Sequence, residues 1–186
     1  MGDDPDLALI NKIIKGDARA FGILIDRHQE FVYTIVFRIL KTKEDAEEIT
    51  QDVFIKIYKS LSTFKLESKF TTWLYTIAYR MAISRLRKQQ VDLVLDWDGQ
   101  QKIVFDDWAE NPLHQLEKQD RINCINEGIN KLGPNEAVVL SLYYLKELKI
   151  KEIADITGIN ESNIKVHLHR GRKNLYLAMQ HQKHLQ

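Results

Sequence analysis

The sequence predicts an all-α chain in which two helical domains are joined by an acidic linker. Three observations carry that prediction. Apolar residues recur at three-and-four spacing in a series of segments on both sides of residues 91–112, which show no clean period. Helix punctuation at Gly16-Asp17, Thr42, Gly133-Pro134 and Gly158 cuts this pattern into elements. Charge divides the chain as well: residues 1–90 hold 15 Lys/Arg against 12 Asp/Glu, 91–120 hold 2 against 8, and 121–186 hold 10 against 6.

The first helix is marked by Leu7, Ile10, Ile13 and Ile14 and stops at Gly16. Asp17 then serves as N-cap of a second, longer helix. Its stripe is Phe21, Leu24, Ile25, Phe31, Val32, Ile35, Ile39 and Leu40, with His28 on it. No second metal ligand lies at helical spacing from His28, so a buried, hydrogen-bonded histidine is the reading. Thr42 and Asp45 have the spacing of a capping box opening the third helix. Its inner stripe is Ala46, Ile49, Val53, Ile57 and Leu61, and its other side carries Glu44, Glu47, Glu48, Gln51 and Asp52. That acidic side suits a solvated face near a helix N-terminus, a magnesium site, or a docking face for a basic protein surface.

Residues 60–72 form a polar loop containing Phe64 and Phe70, and Thr71 or Thr72 is placed to cap the fourth helix. Its inner stripe is Leu74, Ile77, Ala78, Met81 and Leu86. Another face carries Arg80, Ser84 and Arg87/Lys88, with Arg85 beside them. Phe70, Trp73, Tyr75 and Tyr79 are interleaved with these cations. Single-stranded DNA binding asks for this mixture, since cations track phosphates while rings stack on unpaired bases at ~1–3 kcal/mol per base. Core packing of Phe70 and Trp73 is the competing reading.

Residues 91–112 mix acids with apolar residues and show no clean period, so they read as a linker. Beyond it, Ile122, Ile125, Ile129 and Leu132 mark a helix ended by Gly133-Pro134. Another begins at Asn135 with Val138, Val139, Leu142 and Tyr143 inward. Residues 149–179 then read as a helix-turn-helix: Ile150, Ile153, Ala154 and Ile156 form its first helix. Gly158 permits the turn, Ile159 plugs it and Asn160 caps the second helix. That helix is held by Ile164, Leu168, Gly171 and Leu175. Ser162, Asn163 and Lys165 sit where a recognition helix meets base edges, and Arg170, Arg172 and Lys173 where it meets phosphates. His167 and His169 diverge at i, i+2 and do not form a metal pair.

Bulk properties bound the function. A chain of 186 residues suits one ordinary domain or two small ones. The net charge is +1, so any affinity for nucleic acid must be local. The single cysteine, Cys124, excludes an internal disulfide and leaves a zinc site of the usual kind without ligands. No apolar run approaches the ~18–20 residues of a membrane span, and the first ten residues lack a signal pattern. A cytoplasmic protein without membrane insertion, metal or cofactor is expected.

The run Asp45–Phe54 (DAEEITQDVF), followed by F-x-x-W-L-x-x-I-A at Phe70–Ala78 and a basic helix end, resembles region 2 of bacterial sigma factors, most closely the extracytoplasmic-function (ECF) group. The later run E-I-A-D-x-x-G-I with V-H-L-H-R-G-R-K resembles sigma region 4. Together the likeness spans about 150 residues, in the family's order. It implies a region 2 bundle over 1–90, a linker over 91–112 and a region 4 helix-turn-helix over 113–186. It further implies that the clamp coiled coil of core RNA polymerase docks on Glu47, Glu48, Gln51, Asp52 and Phe54. The opened −10 strand would lie on Phe64, Lys69, Phe70, Trp73, Arg80, Arg85, Arg87 and Lys88. Duplex −35 DNA would meet Ser162, Asn163, Lys165, His167, Arg170, Arg172 and Lys173, with region 4 also touching the polymerase flap. The linker would thread the active-site cleft. An anti-sigma partner is usual for the family. Arg80 and Ser84 stand where members often have Asn and Asp, and Val166 where they often have a small polar residue.

Such a chain would not be an enzyme, since polymerase supplies the catalysis. A stand-alone helix-turn-helix regulator of duplex operators would explain residues 113–186 but leave Gln51, Asp52 and the Phe70–Lys88 helix without a task. A magnesium-dependent nuclease using Asp45, Glu48 and Asp52 is the third alternative. Clustered acids would repel its own substrate.

Overall fold

The computed structural model describes residues 5–65, 67–95, 125–126 and 128–183. Seven helices follow in order among them: α1 (Pro5–Ile14), α2 (Ala18–Leu40), α3 (Lys43–Ser60), α4 (Phe70–Leu95), α5 (Pro134–Leu145), α6 (Ile150–Thr157) and α7 (Glu161–Lys183). A 3-10 turn, Leu61–Thr63, follows α3, and residues 125, 126 and 128–130 are also helical. The described residues contain no strand, as the periodicity predicts. Trp97, Trp108, Ile122, Cys124 and residues 96–112 of the linker lie outside the described residues.

The first bundle is built on α2, which packs against α1, α3 and α4. Leu24, Val32, Ile35 and Val36 of α2 are fully buried with Ala46, Val53 and Ile57 of α3 and Leu74, Ala78 and Ala82 of α4. Each buried aliphatic side chain contributes ~1.5–3 kcal/mol, so these stripes dominate the stability of the bundle. Asp17 caps α2 as expected, its Oδ1 accepting from the Arg19 and Ala20 amides at 3.0 and 3.2 Å. His28 is buried, with Nε2 2.8 Å from Asp6 Oδ2, and Arg27 reaches the other oxygen of Asp6 at 2.5 Å. This pair pins α1 to α2. Burial alone would raise Asp6, but the hydrogen bonds and charges of His28 and Arg27 outweigh it and hold the carboxyl low.

Two local expectations are corrected. Thr42 is the N-cap of α3, yet its hydroxyl donates to Asp45 Oδ2 at 2.7 Å and accepts no backbone amide. Asp45 is turned toward α4, where Arg85 Nε and Nη2 reach its Oδ1 at 3.0 and 2.6 Å and Gln89 Nε2 its Oδ2 at 2.8 Å. The tertiary ion pair therefore displaces the capping box. In α4 the helix begins at Phe70, so Thr71 and Thr72 lie inside its first turn and do not cap it. Phe70 is fully buried and anchors that start. The other end of α4 continues to Leu95, past residue 90.

The second group follows the helix-turn-helix pattern. Pro134 opens α5 at N1, where its missing N–H is no loss. Gly158 takes the left-handed conformation (φ 72°) that ends α6, its N–H bonding Ala154 O at 2.8 Å. Asn160 Oδ1 then accepts the Asn163 amide at 2.8 Å and caps α7. Gly171 lets α7 cross α5 closely: a Cβ there would meet Leu140 Cδ1 at 2.8 Å.

The two groups also touch each other. Arg38 of α2 is 5% exposed, and its guanidinium donates to Asn126 O and Oδ1 at 3.3 and 2.7 Å and to Asn130 Oδ1. Lys41 Nζ donates to Asn130 O at 2.9 Å, Tyr79 Oη to Asn135 Oδ1 at 3.1 Å, and Lys69 Nζ to Glu152 Oε1 at 2.9 Å. Lys146 Nζ lies 4.5 Å from the Phe31 ring centroid. Burial lowers Arg38 to about 10, so it stays charged at neutral pH; burial and the nearby Arg38 charge lower Lys41 to about 8.

Candidate protein and nucleic-acid interfaces

The acidic side of α3 is a surface, as the spacing predicts. Glu44, Glu47, Glu48, Gln51 and Asp52 are all exposed, while Ala46, Ile49 and Val53 turn inward. Phe54 differs: it is 6% exposed and belongs to the core. It lies i+3 from Gln51 and supports the floor of a groove rather than offering a face. That groove, about 520 Å³, runs between α2 and α3 and is lined by Phe21, Ile25, Gln51, Phe54, Ile55 and Tyr58 among others. A second cleft of about 400 Å³, containing Glu30, Tyr33 and Glu47, shares Gln29, Thr50 and Gln51 with it. Gln51 thus sits on the ridge between an apolar trough and an acidic one. A partner helix carrying cations beside an aliphatic side chain fits that pair of surfaces. The described residues contain no His/Cys/Asp/Glu cluster able to hold a metal ion.

Around the start of α4 the aromatic residues divide by depth. Phe70 is fully buried, with ring centroids 5.7 Å from His28 and 5.9 Å from both Phe64 and Trp73. Tyr75 and Tyr79 are also buried, Tyr75 meeting Phe31 edge-on at 5.0 Å. These three have no ring face for a base, which corrects the reading of Phe70 as a DNA contact and of the two tyrosines as stacking rings. Burial pushes Tyr75 up to about 12. Phe64 and Trp73 remain half-buried, 5.2 Å apart, and form the aromatic surface that the buried Phe70 supports.

The cations divide as well. Arg80, Arg87 and Lys88 are exposed and recur at helical spacing from Trp73, with Ser84 between them. Lys69 is exposed but paired with Glu152 of α6. Arg85 is tied to Asp45 and, at 3.2 Å, to Glu48, so it braces α4 against α3 instead of facing out. Burial would raise Asp45, but Thr42, Arg85 and Gln89 outweigh it and hold its carboxyl below the usual range. Glu152 also accepts the Lys149 amide at 2.9 Å; that bond, then Lys69, keeps its carboxyl low. Sequence spacing gave no sign of Arg85–Asp45 or Lys69–Glu152, which join residues 40 and 83 positions apart.

On α7 the inward stripe is Ile164, Leu168 and Gly171, all buried. Ser162, Asn163, Lys165, Arg170 and Lys173 are exposed together along the outer faces. His167 is half-buried, with Nδ1 enclosed and without a hydrogen-bond partner among the described residues, so it stands aside from them. Arg172 is exposed, but its guanidinium carbon lies 5.9 and 5.8 Å from the ring centroids of Tyr143 and Tyr144. It stacks on α5 while its edge stays open to solvent. No described helix is long and apolar enough to cross a membrane.

Comparison with known proteins identifies the family. The Sigma-70 region 2 family matches residues 24–91 and the Sigma-70 region 4 family residues 122–175. The ECF RNA polymerase sigma factor SigW of Bacillus subtilis (strain 168) is 34% identical over 175 residues, covering 89% of this chain and 92% of SigW. Two solved structures share the fold. The sigma factor RpoE in complex with the anti-sigma factor NepR, from Bartonella quintana, aligns with a TM-score of 0.70 and 21% identity, covering 88% of this chain and 98% of that one. CnrH in complex with the cytosolic domain of CnrY aligns with a TM-score of 0.64 and 18% identity, covering 95% and 98%. Both regions are present in order, and the SigW likeness runs through nearly the whole length. The chain belongs to the ECF family of RNA polymerase sigma factors.

Proposed function

We propose that this chain directs core RNA polymerase to promoters through three separate surfaces. Residues 1–90 act as the polymerase-docking and −10 domain and residues 113–186 as the −35 domain, with 91–112 between them. The exposed Glu47, Glu48, Gln51 and Asp52 of α3 receive the clamp coiled coil. Phe64, Trp73, Arg80, Arg87 and Lys88 hold the opened −10 strand, and Lys69 joins them once released from Glu152. The outer faces of α7 read duplex −35 DNA, and region 4 also meets the polymerase flap. An anti-sigma factor would hold the chain out of this cycle, as NepR in complex with RpoE suggests.

The observation that carries this reading is the family match of both regions on one chain, 34% identical to SigW over 89% of its length. Opening the duplex is then a binding effect. Stacking on Trp73 and Phe64 exists only with separated strands, so each stacked base adds ~1–3 kcal/mol to the open state alone. Polymerase supplies the chemistry, and no residue of this chain is assigned a catalytic step.

The test follows opening directly, with 2-aminopurine placed in the −10 segment of a promoter bound by core polymerase and this chain. Fluorescence should rise with the wild-type chain. With Trp73→Ala the rise should fall at least several-fold at unchanged −35 binding. An unchanged rise in a folded Trp73→Ala variant would remove the aromatic surface from the mechanism.

A further inference from the structure

At 100° per residue, the stripe of α7 opposite Ile164, Leu168 and Gly171 consists of Ser162, Val166, His169 and Lys173, all exposed. Val166 is 43% exposed and lies outside the apolar core. Every other exposed residue from Glu161 to Asn174 is polar or charged, so Val166 is the one aliphatic side chain on that part of the surface. It is centrally placed, between Ser162 and His169 along the stripe and with Lys165 and Arg170 flanking it. The fold derives little from it, because a β-branched residue is a middling helix former and this one is not packed against the apolar core.

A major groove offers one apolar feature to such a side chain, the C5-methyl of thymine. Ser162 and His169 are seven residues apart, about 10.5 Å along the helix, or roughly three base steps at 3.4 Å each. A side chain midway between them meets the central pairs of that stretch. We propose that Val166 determines −35 specificity by packing on a thymine methyl, while Lys165 and Arg170 beside it donate to neighbouring base edges or phosphates. The proposal rests on the reading of α7 as the −35 helix, and its test keeps the two apart.

The test uses the full chain with core polymerase on a promoter it transcribes. Each thymine of the −35 element, on either strand, is replaced singly by deoxyuridine, which removes the methyl and nothing else. One replacement should weaken binding about four-fold, the worth of one buried methyl (~0.8 kcal/mol). With Val166→Ser that same replacement should change nothing, and with Val166→Thr, which keeps one methyl, part of the effect should remain. Placing 5-methylcytosine at that position should bind more tightly than cytosine. The proposal is overturned if no thymine shows the effect in the wild-type chain, or if the effect persists in Val166→Ser. Arg170→Ala with Lys173→Ala tests the underlying reading: if this pair leaves −35 affinity unchanged, α7 is not the reader. Lost affinity there with no deoxyuridine effect would refute the role of Val166 alone. Position 166 is exposed, so unchanged melting of Val166→Ser confirms that folding is not the variable.

Discussion

Replacing Arg38 with alanine should uncouple the two groups of helices. The guanidinium is almost wholly enclosed and binds Asn126 O, Asn126 Oδ1 and Asn130 Oδ1. Three bonds from a charged donor contribute ~1.5–3 kcal/mol each. Burial opposes them, since lowering the group to about 10 corresponds to a penalty of ~3 kcal/mol, and Nε has no hydrogen-bond partner among the described residues. The net loss on truncation is then ~2–5 kcal/mol, in the range for removing one partner of a buried polar set. Urea unfolding, followed by circular dichroism and tryptophan fluorescence, should change from one transition to two, because the lost energy lies between the groups. Asn126→Ala with Asn130→Ala should give a similar loss, and combining all three should add little more. A single transition in Arg38→Ala, shifted by less than ~1 kcal/mol, would refute this view of the contact.

Further outcomes follow from the surfaces. Gln51→Ala with Asp52→Ala should weaken core polymerase binding by roughly ten-fold or more and leave the melting temperature alone, since both are exposed; unchanged affinity in a titration would remove the docking role. Lys165→Ala should change which −35 sequences a randomised library yields. Arg172→Ala should instead lower stability by ~0.5–1 kcal/mol through its lost stacking on Tyr143 and Tyr144, with preference unaltered. Asp45 has a depressed folded pKa, so its contribution is present above the ordinary carboxylate value and lost as pH falls through the folded one. Asp45→Asn should therefore be less stable at neutral pH and show a flatter acid limb in urea titrations at successive pH values. An acid limb identical to wild type would contradict the role given to Thr42, Arg85 and Gln89.

Much of the fold was legible because its signals are local. Asp17, Asn160 and Gly158 act within a few residues of where they stand, and the stripes of α3 and α7 are one-sided. His28 could be read as buried from its place on the α2 stripe. The reading failed on α4, whose neighbours α2, α3 and α6 cover it on more than one side. Phe70 lies i−4 from Leu74, and Tyr75 and Tyr79 lie i−7 and i−3 from Ala82. That continuation of the buried stripe is visible in the spacing, and for Phe70 it favours core packing, the competing reading, over stacking. Arg85 reads as a DNA contact from sequence because its partner Asp45 is remote along the chain, and the same remoteness hides the Thr42 cap exchange and Lys69–Glu152. What stays accessible on this side is the half-buried pair Phe64 and Trp73 with the exposed Arg80, Arg87 and Lys88.

The most direct test of the central claim is transcription in vitro from a randomised promoter library, with core RNA polymerase in the presence and absence of this chain. The account predicts transcripts only when the chain is present, starting downstream of two spaced elements, and their loss with Gln51→Ala, Asp52→Ala. No transcripts, together with tight binding of the chain alone to duplex DNA, would contradict it.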